Sequence, residues 1–123
     1  MKRYIDFLVL IPSYMSGNRN YKVFSDRNDL SITNFLGNSN WRKTWSVAQN
    51  TRTNFGDFIT NEFCKKMENI EFLKIDNKDI ITVKEHQKNL KLYHLALFSK
   101  NKLAHNFWSK AVEGTSNQIC LDL

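Results

Sequence analysis

The stretch from Lys91 to Ala111 constrains the fold more than any other. Its first half, Leu92 to Phe98, is apolar on both faces. Its second half, opened by Asn101 as a cap, spaces Leu103, Ala104, Phe107, Trp108 and Ala111 as one helical stripe. A strand covered on both sides that runs directly into an amphipathic helix belongs to a layered α/β sheet. A second such run, Ile5 to Ile11, holds Phe-Leu-Val-Leu-Ile without a break and is expected to form a central, parallel strand. Pro12 ends it, because proline cannot donate to a ladder. No helix or phosphate loop precedes this strand, so the expected picture is the second half of an α/β domain whose ligand-binding half is not in this chain.

Residues 1–113 read as a single partial α/β domain and residues 114–123 as a carboxyl-terminal tail. Ser13 to Asp29 is polar, holds Gly17, and reads as a long loop at the carboxyl end of the first strand, where ligands gather in open α/β sheets. Leu30 to Leu36 predicts a short helix closed by Gly37 in a left-handed cap. Ser39 or Asn40 then caps a helix whose Trp41 and Trp45, four apart, share one face. That face is read as a core or domain-interface anchor, with base stacking as the sharper alternative. After a linker at Thr51 to Asn54, Asn54 caps a helix with Phe55, Phe58, Ile59, Phe63 and Met67 on one stripe. Ile70 to Ile75 and Ile80 to Glu85 predict a β-hairpin around Asp76-Asn77-Lys78-Asp79, with a second turn at Gln87-Lys88-Asn89 before the last strand. Gly114 stops the final helix. The tail from Thr115 has no period and is expected to fray, unless Ile119 and Leu121 dock.

At 123 residues and 41% apolar content, the chain is long enough for one domain with a modest core and too apolar to be disordered. The net charge of +6 permits an acidic partner or nucleic acid without requiring either, because the basic residues are scattered. Only Arg42 to Arg52 is locally basic with no acid. Cys64 and Cys120, with no signal peptide, point to free thiols in a reducing cytoplasm. The run at Ile5 to Ile11 is too short to span a membrane, and Asp6 inside it, with no small-residue cleavage site after it, argues against a secretory leader. No membrane partner is expected.

The chemistry is sparse. Gly17, Gly37, Gly56 and Gly114 lie far apart, so no glycine-rich phosphate loop exists. The chain is expected to hold no cofactor by itself. S-adenosylmethionine could be bound only with an amino-terminal half that is missing here. His86, His94 and His105 have no metal-ligand spacing with one another or with the cysteines. His94, in an apolar strand, reads as a satisfied core histidine rather than a catalytic one. No carboxylates form a convincing acid/base pair. The best local candidates are Pro12, Ser13 and Tyr14. Amino-methyltransferases carry a polar residue followed by Pro-Pro-aromatic at the end of such a strand, to hold the target amine and stack on a flipped base. Here Ile11 stands at the polar position and Ser13 at the second proline, so a plain proline stop is preferred.

Taken in order, several motifs resemble one family, the three-Cys-motif partner proteins of bacteria, whose fold is like that of S-adenosylmethionine-dependent methyltransferases. Asp6-Phe7-Leu8-Val9-Leu10-Ile11-Pro12 is similar to the family's Asp-Leu-Leu-Ile-Asn-Phe-Pro strand, and Asn18-Arg19-Asn20 to the Asn-Arg that follows it. Asn34-Phe35-Leu36-Gly37 and Trp41 match its Phe-Phe-Gly and tryptophan. Leu92-Tyr93-His94-Leu95 with Phe98-Ser99-Lys100 matches its terminal strand, and Phe107-Trp108 its closing helix. The similarity spans most of this chain and the carboxyl-terminal half of the family's length. Leu10 stands where the family has a polar residue, and Asn101 where it has a histidine.

The resemblance implies the distal half of a Rossmann-like, methyltransferase-like sheet, with a β-hairpin and flanking helices. It implies a truncated or partial protein, not catalytically competent alone: either a fragment or truncated reading frame, or a chain whose sheet another chain completes. The partner would be a protein bearing a three-cysteine motif, or a second copy. Two alternatives stand beside it. One is a non-enzymatic interaction module using the Trp41/Trp45 face or the Ser13 to Asp29 loop. The other is a small basic nucleic-acid binder using Arg19, Arg42, Lys43 and Arg52. Asn18, Arg19, Trp41, Arg42, Lys43 and Trp45 are the candidate partner or nucleic-acid contacts.

Overall fold

A computed structural model describes residues 5–12, 22–24, 26–51, 53–87 and 90–121. Among these residues four strands form one mixed sheet, with helices on both faces. In chain order the elements are β1 (Phe7–Pro12), α1 (Ser31–Leu36), α2 (Trp41–Ala48), α3 (Phe55–Asn69), β2 (Ile81–Glu85), β3 (Leu90–Phe98), α4 (Lys102–Gly114) and β4 (Gln118–Leu121). A single 3-10 turn at Asn77–Asp79 leads into β2. The strand order is β1-β3-β2-β4. β3 runs antiparallel to both β1 and β2, while β4 lies parallel to β2.

Local signals start and stop the helices where expected. Gly37 closes α1 at φ 77° and its N–H donates to Thr33 O, a conformation that costs glycine least. The Asn54 side chain accepts from the Asp57 N–H at the start of α3, and Asn101 accepts from Leu103 N–H at the start of α4. Each satisfies a backbone donor that the helix itself leaves unpaired.

The main core lies between α3 and one face of the sheet. Phe58, Ile59 and Phe63 of α3 are buried with Ile11 of β1 and Ala96 and Phe98 of β3. The Phe63 ring stacks on Phe35 at 4.7 Å and meets Phe98 edge-on at 5.4 Å. At about 1.5–3 kcal/mol per buried large side chain, this cluster supplies most of the driving force. A smaller cluster fills the other face, where Val112 of α4 packs with Ile81 and Val83 of β2 and with Tyr93, Leu95 and Trp108.

Four expectations are corrected. First, Ile5 to Ile11 does not form a central parallel strand. β1 is an edge strand paired antiparallel to β3, in register Phe7 with Phe98 and Ile11 with His94. β1 and β2 do run parallel, but the reversed β3 sits between them and takes the doubly buried position. Second, the hairpin is β2–β3, not Ile70 to Ile75 with Ile80 to Glu85. Glu71 adopts φ 73° just after α3, and the following segment buries Phe72 and Ile75 without pairing as a strand. Third, Leu103 and Phe107 are 63% and 65% exposed. α4 instead turns Trp108 and Val112 to the sheet, with the Trp108 indole N–H donating to Asp79 O at 2.6 Å. Fourth, of the two readings of the tail, docking holds for Ile119 and fraying does not, while Leu121 stays 38% exposed. Gln118–Leu121 pairs with β2, and Ile119 packs against the smaller core.

Candidate functional site

The register that pairs Thr82 with His94 puts both on the α3 side of the sheet, beside Ala96 and Phe98. Large apolar residues fill that layer over β1 and β3. Over β2 the facing residues are short and polar, so the layer opens into a cavity of about 400 Å³. Thr53, Asp57, Thr60 and Asn61 line it from the start of α3, Asn77 and Ile80 from the turn before β2, and Thr82 and His94 from the sheet.

His94 is the cavity's most constrained side chain. It is buried, and both ring nitrogens have partners. Nε2 lies 3.2 Å from Asp57 Oδ1, and Nδ1 lies 3.4 Å from Thr82 Oγ1. An ionised carboxylate only accepts, so the proton of a neutral ring belongs on Nε2. Nδ1 then accepts from the Thr82 hydroxyl. Asp57 is held from a second side, because Asn54 Nδ2 donates to its Oδ2 at 3.1 Å. It sits in the first turn of a 15-residue helix, where the helix dipole favours negative charge. The His94 hydrogen bond holds the Asp57 carboxyl below its ordinary range, followed by the charges of His94 and Lys91 and the Asn54 bond, while burial opposes them.

The arrangement is a hydroxyl–imidazole–carboxylate chain inside a polar recess. Chemically it can orient an imidazole and fix its tautomer. Among the described residues the recess has no lysine or arginine in its lining. Sequence alone gives His94 as a satisfied core histidine, and its two hydrogen bonds agree with that. It does not reveal Asp57, which is 37 positions away along the chain. The available signal was an acid in the first turn of a strongly capped helix and a titratable residue inside an apolar strand.

Of the candidate residues, Pro12 ends β1 opposite Tyr93. Ser13, Tyr14, Asn18, Arg19 and Arg52 lie outside the described residues. Trp41 is 2% exposed, its indole N–H donates to Thr33 Oγ1 at 3.0 Å, and its ring faces Phe55. It is therefore packed within the core. Trp45 packs on Phe55 and Phe58, each at 5.1 Å. The tryptophan pair is a core anchor. Arg42 lies over the Trp41 ring at 4.4 Å and donates from Nη2 to Asp26 O and Asp29 O, so it braces the preceding turn. Lys43 is exposed on α2. Of the described candidates, none of Pro12, Trp41, Arg42, Lys43 and Trp45 lines the cavity.

Gly37 and Gly114 end helices and Gly56 lies in the first turn of α3, so no described glycine lines the cavity or opens a phosphate cradle. Among the described residues no group of three or more His, Cys, Asp or Glu is placed to hold a metal ion, and no helix is long and apolar enough to cross a membrane. Comparison with protein-family models, with curated proteins and with solved structures finds no match to this chain.

Proposed function

We propose that this chain is a methyltransferase-like partner module of the three-Cys-motif partner type, and that it works as part of a larger sheet completed at β1 by a strand of another protein. In this reading it is not catalytically competent alone. The observation that carries it is the state of β1. The strand is at one end of the sheet, and Leu8 and Leu10 are 59% and 55% exposed. They stand opposite Leu97 and Leu95, on the face that α4 covers over β2 and β3 but leaves bare over β1. Among the described residues no strand pairs with its other side, and an apolar edge strand is a template for strand addition.

The topology supports the finer assignment. β1 and β2 are parallel strands joined by helices, with the reversed hairpin strand β3 between them. A Rossmann-like sheet that ends in a hairpin would continue from the free side of β1. The expected partner is a protein bearing a three-cysteine motif, met in the cytoplasm, where Cys64 and Cys120 stay reduced. Nucleic acid remains the substrate class that the resemblance offers for the complete assembly.

A photo-crosslinking residue placed at Leu10, with one at Val47 on α2 as control, tests the reading in the source cell. A protein crosslink from position 10 and not from 47, with new amide protection across Phe7–Pro12 in the purified complex, supports it. No crosslink at position 10, with the outward amides of β1 still exchanging freely, overturns it.

A further inference from the structure

We propose that the cavity over β2 is a binding site for a small, neutral, polyhydroxylated ligand, recognised as a sugar ring bearing vicinal hydroxyls. This site is separate from the β1 edge and does not depend on it.

The chemistry of the lining selects the class. The cavity, at about 400 Å³, falls within the ~300–1,000 Å³ typical of small-molecule sites. It has one apolar wall, Ile80, and otherwise presents threonine hydroxyls, carboxamides, the His94 ring and one carboxylate. An apolar ligand would strip water from these groups and return no hydrogen bonds. Among the described residues the lining holds no lysine or arginine, so an anion would meet the Asp57 carboxylate with only the nearby Lys91 charge to offset it. Among the described residues a metal ion would find a single carboxylate in the lining, already engaged by His94 and Asn54. A neutral ligand rich in hydroxyls satisfies the set, since each hydroxyl both donates and accepts.

The groups are also prepared for it. His94 and Asp57 hold each other rigid, and Asp57 is anchored again by Asn54, which lowers the ordering cost on binding. Each carboxylate oxygen has one protein donor and retains capacity to accept from a ligand hydroxyl. Asn61 and Asn77 are exposed and both border the cavity, so a ligand can take the place of the water on their carboxamides. Asn61 comes from α3 and Asn77 from the turn before β2. A ring held between them would bridge the helix to the sheet.

The test follows the His94 ring resonances of the full chain by NMR while D-ribose, D-glucose, adenosine and inorganic phosphate are titrated to tens of millimolar. The expected result is a saturable shift with a neutral sugar, weakened at least about fivefold in Asn77→Ala, whose side chain is exposed and whose loss leaves the fold intact by circular dichroism. Saturation by ribose or glucose assigns a free sugar, and saturation by adenosine alone assigns the sugar of a nucleoside. A saturable response to phosphate alone, no saturable shift with any compound, or a sugar response unchanged in Asn77→Ala and Asn61→Ala overturns the proposal.

Discussion

His94 Nε2 lies 3.2 Å from Asp57 Oδ1, and this contact joins the central strand β3 to the first turn of α3. The carboxyl is only partly buried, with a side chain 43% exposed, so solvent screens the pair and its worth is modest.

Asp57→Asn should cost about 1 kcal/mol of stability at neutral pH, the range of a partly exposed charge-assisted hydrogen bond. The sign of the pH effect follows from the lowered carboxyl. Asp57 titrates in the folded protein below its ordinary value of 3.8, chiefly through the His94 hydrogen bond. Its contribution is present above that value and is lost as pH falls through the folded pKa. Urea unfolding at a series of pH values should show the gap between the native chain and Asp57→Asn narrowing below about pH 3.8. A gap that widened toward acid would contradict the assignment.

Asn54→Ala should cost about 1 kcal/mol, the usual loss when a helix cap is removed. The Asn54 side chain does two things: its oxygen accepts from the Asp57 N–H at 2.8 Å, and its amide donates to the Asp57 carboxylate. The double variant Asn54→Ala/Asp57→Asn should therefore lose less than the sum of the two single changes, since groups in one network do not add. Strict additivity in chemical denaturation would mean that the cap and the carboxylate act independently.

Much of this fold was legible because short-range chemistry set it. Gly37, Asn54 and Asn101 each act within a few residues, and each acts as its type predicts. The misplacements came from choices made at long range. Ile5 to Ile11 has the composition of a central strand, but which strand is central depends on where β3 inserts, and nothing local encodes that. Leu103 and Phe107 have the spacing of a buried stripe. The helix is nevertheless rotated to bury Trp108 and Val112, with the Trp108 indole bonded to Asp79 O. The His94–Asp57 pair was invisible for the same reason, since its members meet only after the helix packs across the sheet.

The two cysteines should react very differently. Burial, helped by the nearby Glu68 charge, pushes the Cys64 thiol up to about 11, so almost no thiolate exists at neutral pH. Cys120 is exposed on β4. A disulfide reagent added to the native protein should label Cys120 promptly and Cys64 only on unfolding. Equal native labelling of both, read by mass spectrometry, would show that the α3 packing around Cys64 opens readily.

Neighbouring positions on β1 should respond in opposite ways, because alternate side chains leave a strand on opposite faces. Ile11 is fully buried against α3. Ile11→Ala should cost about 2–5 kcal/mol through lost transfer energy and the cavity left behind. Leu10 points to the bare face and is more than half exposed, so Leu10→Lys should change folding stability by no more than about 0.5 kcal/mol. What Leu10→Lys should change is association. A charge on an edge strand penalises burial in a second sheet, so it should reduce concentration-dependent self-association in sedimentation velocity and block the crosslink expected at this position. If Leu10→Lys instead unfolds the chain, β1 is covered on that face in the free protein, and the edge offered to a partner must be sought elsewhere.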